Sequence, residues 1–278
     1  MRVAFLLDEY LPTGTRVHAK MIHELAVEFQ KNGHKSVVIT PGDPVQKSAL
    51  IVDFLDGVEV WRFRSGYTRG VGMTKRLINE WLLSFRAWNA VSKKVNSCPF
   101  DLCINYSPTI FFGPLARTLK GKGAYIYQIL RDDFPQWLID QGIIAKWSPV
   151  MFFLKYFEKL NYRIADCIGM MSEANMMLFR ERNPAYTNVK ILMNWSSTSP
   201  FPADEVRFNI RGEYNLSKKT VFFYGGNLGH SNDMPNIIRL AQNLIGYHNA
   251  HFLIIGQGDQ YDLVNELVEL WKLTNVTI

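Results

Sequence analysis

Three stretches hold residues whose types and spacing could do chemistry. "TVFFYGGNLGHSND" (Thr220–Asp233) reads as a buried strand running into a turn with Gly225, Gly226 and Gly229, and then into a helix. Such a turn leaves backbone N–H groups free at a helix N-terminus, where the positive end of the dipole favours an anion such as phosphate. "RDDFPQW" follows the strand-like "AYIYQIL". It places Arg131 and Asp132 at the edge where open α/β sheets place ligands, so either could face a cleft. "LPTGTR" follows "RVAFLLD" and carries a single glycine, Gly14, between Thr13 and Thr15.

Weaker candidates flank these. Asn194 ends "VKILMN", and Gly256 and Gly258 of "GQGD" follow another apolar run. Plainer roles compete at every position: tight βα turns for the glycines, an Arg–Asp surface pair with a helix cap for Arg131 and Asp132, and a hinge cap for Asn194. No G-x-x-x-x-G-K-[ST] occurs, and "GQGDQY" lacks the third glycine of G-x-G-x-x-G, which disfavours a P-loop NTPase and a dehydrogenase. His18 and His23 are five residues apart and fall on different helix faces, while His248 and His251 precede a strand. Cys98, Cys103 and Cys167 have no metal-ligand spacing, so reduced cysteines and no metal are expected.

The elements that must position these residues alternate in type. "RVAFLLD", "HKSVVIT", "GVEVWRF", "LCINY", "AYIYQIL", "CIGMM" and "VKILM" read as strands. "HAKMIHELAVEFQKNG" repeats apolar residues at helical spacing and stops at Gly33. Strands that look buried on both faces argue for a doubly wound parallel sheet. Around residue 200 the composition shifts, and Ser196–Asp204 reads as a linker before a new βαβ unit at Val221. That unit predicts helices over 234–246 and 260–273. The expected domains are 1–200 and 201–278, the second short against the roughly 120–150 residues that a complete Rossmann half takes.

Charge divides along the same boundary: 25 Lys/Arg against 17 Asp/Glu in residues 1–200, and 6 against 8 thereafter. An anionic partner is therefore expected on the first domain. Met73–Val95 places Leu77, Ile78, Trp81, Leu82, Phe85 and Trp88 along one helical face, with Lys75, Arg76, Arg86, Lys93 and Lys94 on or beside the polar side. Two readings fit: a core-packed helix with a solvated basic edge, or an interfacial helix on anionic lipid. No uncharged apolar run is long enough to span a bilayer, and the start of the chain does not read as a signal peptide, so a cytoplasmic, peripheral protein is expected.

Taken in order, "YLPTGTRVHAKMIHELAVEFQKNGHKSVVIT", "YQILRDDFPQWLIDQGII", "ILMNWSS", "FFYGGNLGH" and "FLIIGQGD" resemble successive landmarks of the family-4 retaining glycosyltransferases, with the bacterial O-antigen and capsule branch nearest. The resemblance implies a GT-B fold of two Rossmann-like domains, the first on the acceptor side and the second holding a nucleotide sugar. It implies transfer from a UDP-sugar to a lipid-linked saccharide, without metal or cofactor, at the inner face of the plasma membrane and with no nucleic-acid partner. By resemblance Arg131 contacts phosphate or sugar, and Asp132 a sugar or acceptor hydroxyl. Gly14, Thr15, Asn194, Gly226, Asn227, Gly229, His230, Gly256 and Gly258 face the donor. Lys75, Arg76, Trp81, Trp88, Lys93 and Lys94 remain the membrane candidates.

Departures from the family pattern accompany the resemblance. "LPTGTR" has one glycine where two adjacent ones are common, and no Arg or Lys occurs between Gly225 and Asn236, so backbone donors, helped by a protonated His230, must hold more of the diphosphate. The family's later Glu-containing donor motif does not appear. A non-catalytic fragment that keeps acceptor or membrane binding is therefore the alternative reading, with a sugar-nucleotide epimerase as a third.

Overall fold

The computed structural model describes every residue except Thr15, Arg69, Pro108 and 199–207, and only the backbone at Ser231. The expected linker thus lies partly outside the described residues, as does Thr15. The chain forms two compact units, one ending at Thr198.

The first unit runs β1 (Arg2–Leu6), α1 (Val17–Lys31), β2 (Lys35–Gly42), β3 (Leu50–Leu55), β4 (Val58–Arg64), α2 (Met73–Trp81), α3 (Leu83–Ser97), β5 (Leu102–Tyr106), α4 (Gly113–Lys120), β6 (Tyr125–Leu130), α5 (Gln136–Asp140), α6 (Pro149–Ile164), β7 (Cys167–Met170), α7 (Glu173–Arg182) and β8 (Val189–Ile191). The sheet order is β3-β4-β2-β1-β5-β6-β7-β8, and every pairing is parallel except β3 with β4. Val3 to Leu7 are wholly buried because helices cover both faces. Leu83, Ala87 and Val91 of α3, Leu115 of α4 and Leu154 of α6 pack on one face with Trp61 and Phe63. On the other, Ile22 and Ala26 of α1 meet Val3, Phe5 and Val38. Ser148 caps α6 by accepting from the Met151 N–H at 3.1 Å, with Pro149 opening the helix.

Two features differ from the sequence reading. β3 was not foreseen: it folds back on β4 through Asp56 and Gly57, whose φ values of 48° and 81° make the two-residue turn that suits a right-twisted hairpin. The helix expected over Met73–Val95 is two helices, with a turn at Leu82. Leu77 and Trp88 pack against the core, while Ile78, Trp81 and Phe85 stay exposed.

The second unit contains α8 (Ile210–Glu213), β9 (Thr220–Asn227), α9 (Met234–Asn243), β10 (Ala250–Gln257), α10 (Tyr261–Leu270) and β11 (Val276–Thr277), with parallel strands in the order β11-β10-β9. Leu228, Met234, Ile238, Phe252, Ile254 and Val264 form its core. β9 extends through Asn227, so Gly225 and Gly226 belong to the strand, in register with Ile255 and Gly256, rather than to the turn after it.

Beneath the edge of the first sheet lies a buried polar cluster. Asn105 Nδ2 donates to Gln128 Oε1 at 2.7 Å and to Asn161 Oδ1 at 2.8 Å, and Asn161 Nδ2 donates to the Ile110 and Phe157 carbonyls, both at 2.7 Å. This cluster ties α6 to β5, β6 and the segment after β5. Asn161→Ala strands at least two buried groups, each costing about 1–3 kcal/mol. The first unit should lose about 2–4 kcal/mol of stability, measured by urea denaturation followed by tryptophan fluorescence.

Candidate active site

The turns after β1, β5 and β6 leave the sheet at the carboxyl ends of parallel strands, and the functional side chains gather there. Asp8 follows β1. Its Oδ2 lies 3.5 Å from Arg16 Nη1, and its Oδ1 lies 3.2 Å from His18 Nε2, off the line of a straight hydrogen bond. Glu9 Oε1 accepts from the Arg16 N–H at 3.0 Å, so two acidic groups face the start of α1. The Gly14 N–H donates to the Tyr10 carbonyl at 2.9 Å. A Cβ on Gly14 would sit 3.0 Å from that carbonyl oxygen and 3.3 Å from Ala19 Cβ, so glycine is needed for close packing of the turn.

His18 stacks on Tyr106 at the end of β5, with ring centroids 5.3 Å apart. Burial pushes the Tyr106 hydroxyl up to about 12. Arg131 opposes that rise, while Asp132 and Asp8 add to it. Asp8, His18, Tyr106, Arg131 and Asp132 therefore form one charge-bearing strip across the ends of β1, β5 and β6. Burial works against the Asp8 charge, but contact with His18 and the Arg16 guanidinium outweigh it and hold the carboxyl below its ordinary range.

Arg131 is half-buried. Its backbone N–H donates to Ser107 Oγ at 2.8 Å, and its guanidinium has no carboxylate partner among the described residues. Asp133 pairs with Arg182 of α7, which leaves Asp132 exposed and without an ion pair among the described residues. That answers which acid is free. α5 has no side-chain cap, so neither Asp132 nor Asp133 serves as a helix cap there.

A cavity of about 250 Å³ opens beside the strip, over the ends of β1, β2 and β4. Its lining combines the acids Asp8, Glu9 and Glu80, the cations Arg16 and Arg76, and the hydroxyls of Thr13, Tyr67 and Thr68. Alternating acceptors and donors suit a polyhydroxylated ligand. Arg76, read from sequence as a membrane cation, belongs here and binds Glu80 at 2.8 Å. The other membrane candidates diverge. Lys94 reaches Glu59 at 4.0 Å over the Trp61 ring, and it lies with Lys93 near Arg2 and Lys35, at the opposite end of the strands. Trp88 sits under Lys122, and Lys75 is exposed. Asp8, Glu9, Arg16, His18 and Tyr106 escaped the sequence reading. The available signal was two acids directly after the first buried strand.

Asn194 is exposed, and the next residue does the anchoring: Trp195 Nε1 donates to the Met21 carbonyl at 3.0 Å. In the second unit, a Cβ on Gly256 would lie 2.0 Å from the Gly226 carbonyl oxygen, and one on Gly258 would lie 2.3 Å from that of Leu228. Both glycines are thus required by the close approach of two backbones. Gly226 has room, its nearest neighbour to a Cβ being 3.7 Å away. The turn from Gly229 passes through a short 3₁₀ segment (His230–Asn232) and Asp233 at φ 44° before α9 starts with Pro235 in its first turn. The helix therefore opens less directly, and with one backbone donor fewer, than a plain glycine turn would give. Asn227 and Gly229 lie at this turn, with His230 Nδ1 2.9 Å from Gln260 Nε2.

Because the folded Asp8 pKa is lowered, its stabilisation is complete above about pH 4 and is lost as pH falls through the folded value. Asp8→Asn should lower the Tm at pH 7 and flatten its fall in acid, in thermal scans from about pH 2 to 7.

No family model matches the chain. The putative colanic acid biosynthesis glycosyl transferase WcaI of Escherichia coli (strain K12) is 28% identical over 182 residues, covering 63% of this chain and 44% of that protein. The chain thus matches less than half the length of this relative. Sucrose-phosphate synthase (tll1590) from Thermosynechococcus elongatus has a similar structure, with a TM-score of 0.71 at 12% identity over 99% of this chain and 69% of that one. A trehalose-6-phosphate structure from E. coli bound with UDP-2-fluoro glucose gives 0.61 at 12% identity, over 99% and 72%. The fold is the α/β fold of the GT-B glycosyltransferases, and the chain resembles glycosyltransferases in sequence as well.

Proposed function

We propose that the protein is a family-4 retaining glycosyltransferase of the O-antigen and capsule branch, moving a sugar from a UDP donor to a lipid-linked saccharide. The observation that carries this reading is the strip from Asp8 through Tyr106 to Arg131 and Asp132, set beside a cavity lined with both acids and cations. A saccharide offers hydroxyls that donate to Asp8, Glu9 and Glu80 and accept from Arg16. The WcaI likeness and the UDP-sugar held by a structure of the same fold support the substrate classes.

In this reading Arg131 faces the diphosphate. As the sugar–phosphate bond breaks, negative charge grows on the leaving oxygen, and a half-buried guanidinium with no competing carboxylate stabilises that charge without metal. Asp132, free of Arg182, accepts a hydrogen bond from a hydroxyl of the transferred sugar or the acceptor. The backbone around Gly226, Asn227 and Gly229 holds the nucleotide, with the His230 side chain beside it. An acceptor anchored by lipid keeps the protein at the inner face of the plasma membrane as a peripheral protein.

Calorimetry tests the donor assignment directly. UDP should release heat with the wild type, and Gly226→Val and Asn227→Ala should weaken binding while leaving the denaturation midpoint nearly unchanged, since Gly226 has space for a side chain. Wild-type affinity in both variants would remove the assignment. Lack of UDP heat with retained lipid binding would favour a fragment that only binds acceptor or membrane. Arg131→Ala should reduce transfer by about 10²–10³-fold, measured as sugar released from the UDP-sugar to a lipid-linked acceptor.

A further inference from the structure

The outer surface of the α3–α4–α6 layer carries large aromatic side chains that the fold leaves uncovered. On α6, Phe152 and Tyr156 are about 60% exposed, and Lys159 and Arg163 continue the same line. Positions 152, 156, 159 and 163 recur at the spacing of one helical stripe, which runs roughly 16 Å along the helix. The first half of the stripe is aromatic and the second cationic. Just before the helix, Trp147 is 75% exposed, with Lys146 over its ring at 5.4 Å. Trp81 joins this surface through its edge contact with Phe153 at 6.2 Å, and Phe85, 64% exposed, follows one turn on.

Charge separates the partners that could cover such a face. Arg117, Lys159 and Arg163 have no ion-pair partner among the described residues. The one carboxylate of α6, Glu158, is buried and held by Lys155 and Tyr162. Aromatic residues and arginine mark protein interfaces as well, so charge decides: indoles and phenols beside three cations that have no ion pair match the headgroup region of an anionic bilayer. We infer that this face, centred on the α6 stripe with Trp147, Trp81 and Phe85, docks the protein onto anionic phospholipid. Phe152 and Trp147 enter the headgroup layer, and Lys159, Arg163 and Arg117 meet lipid phosphates. The inference deepens the lipid-linked acceptor reading and shares its premise that the acceptor stays in the bilayer. It also moves the contact away from Lys93 and Lys94.

The test is co-sedimentation of the full chain with vesicles of phosphatidylcholine alone or with about one-third phosphatidylglycerol. The wild type should bind the anionic vesicles and not the neutral ones, with a blue shift of tryptophan emission. Arg117→Gln, Lys159→Gln and Arg163→Gln together should weaken binding on the order of a hundredfold, at about fivefold per cation. Lys47→Gln, Lys218→Gln and Lys272→Gln, equal in charge but elsewhere, should change it about twofold or less. Phe152→Ser with Tyr156→Ser should abolish the blue shift. All of these side chains are exposed, and circular dichroism checks that the variants fold. Equal binding to both vesicle types, no vesicle binding, or equal loss in the two charge triples would overturn the inference. So would a wild-type dimer that the aromatic pair splits while lipid binding persists. UDP heat measured on the same preparations separates failure here from failure of the donor reading.

Discussion

Parallel hydrogen bonding from β4 through β2, β1, β5, β6 and β7 to β8 forces all these strands to end on one edge, and the candidate site depends on that constraint. Residues from the first turn of the chain and from beyond residue 130 meet because the ladders Val3–Leu102 and Leu102–Tyr125 hold β1, β5 and β6 side by side. Strand ends are fixed by backbone bonds that side-chain changes barely touch. A sheet of this kind therefore presents variable turns on an invariant frame.

Electrostatics then give the edge its character. Asp8 keeps its charge although partly buried, because Arg16 and His18 compensate it. The Arg131 guanidinium lies against Met21, its Nη1 3.8 Å from Sδ, and has no carboxylate partner among the described residues, while Asp133 is taken by Arg182. The polar cluster of Asn105, Gln128 and Asn161 lies one layer below and ties α6 to β5 and β6. Each layer thus limits the freedom of the one above it, from backbone ladder to amide cluster to charged strip.

The sequence made the alternation of strands and helices legible, since "RVAFLLD" and "HKSVVIT" are apolar runs of strand length and α1 has a clean helical period. β3 escaped because Asp53 interrupts its otherwise apolar run, "LIVDFL". The Asp56-Gly57 pair before "VEVWRF" was the overlooked hairpin signal. The contact of His18 with Tyr106 could not be read at all, because it joins positions far apart in the chain through tertiary packing. Glycine usually marks a turn, yet the parallel ladder with β10 runs straight through Gly225 and Gly226. "RDDFPQW" starts directly after β6, as the apolar run before it indicates, and the Asp133–Arg182 pair distinguishes its two acids.

The first sheet guards both of its edges. At one, the antiparallel β3 carries Asp53 bound to Arg62, and at the other β8 is three residues long, so neither offers a long apolar template. A second copy therefore finds no ladder to extend there, and the strands between keep their buried apolar runs without exposing them for pairing.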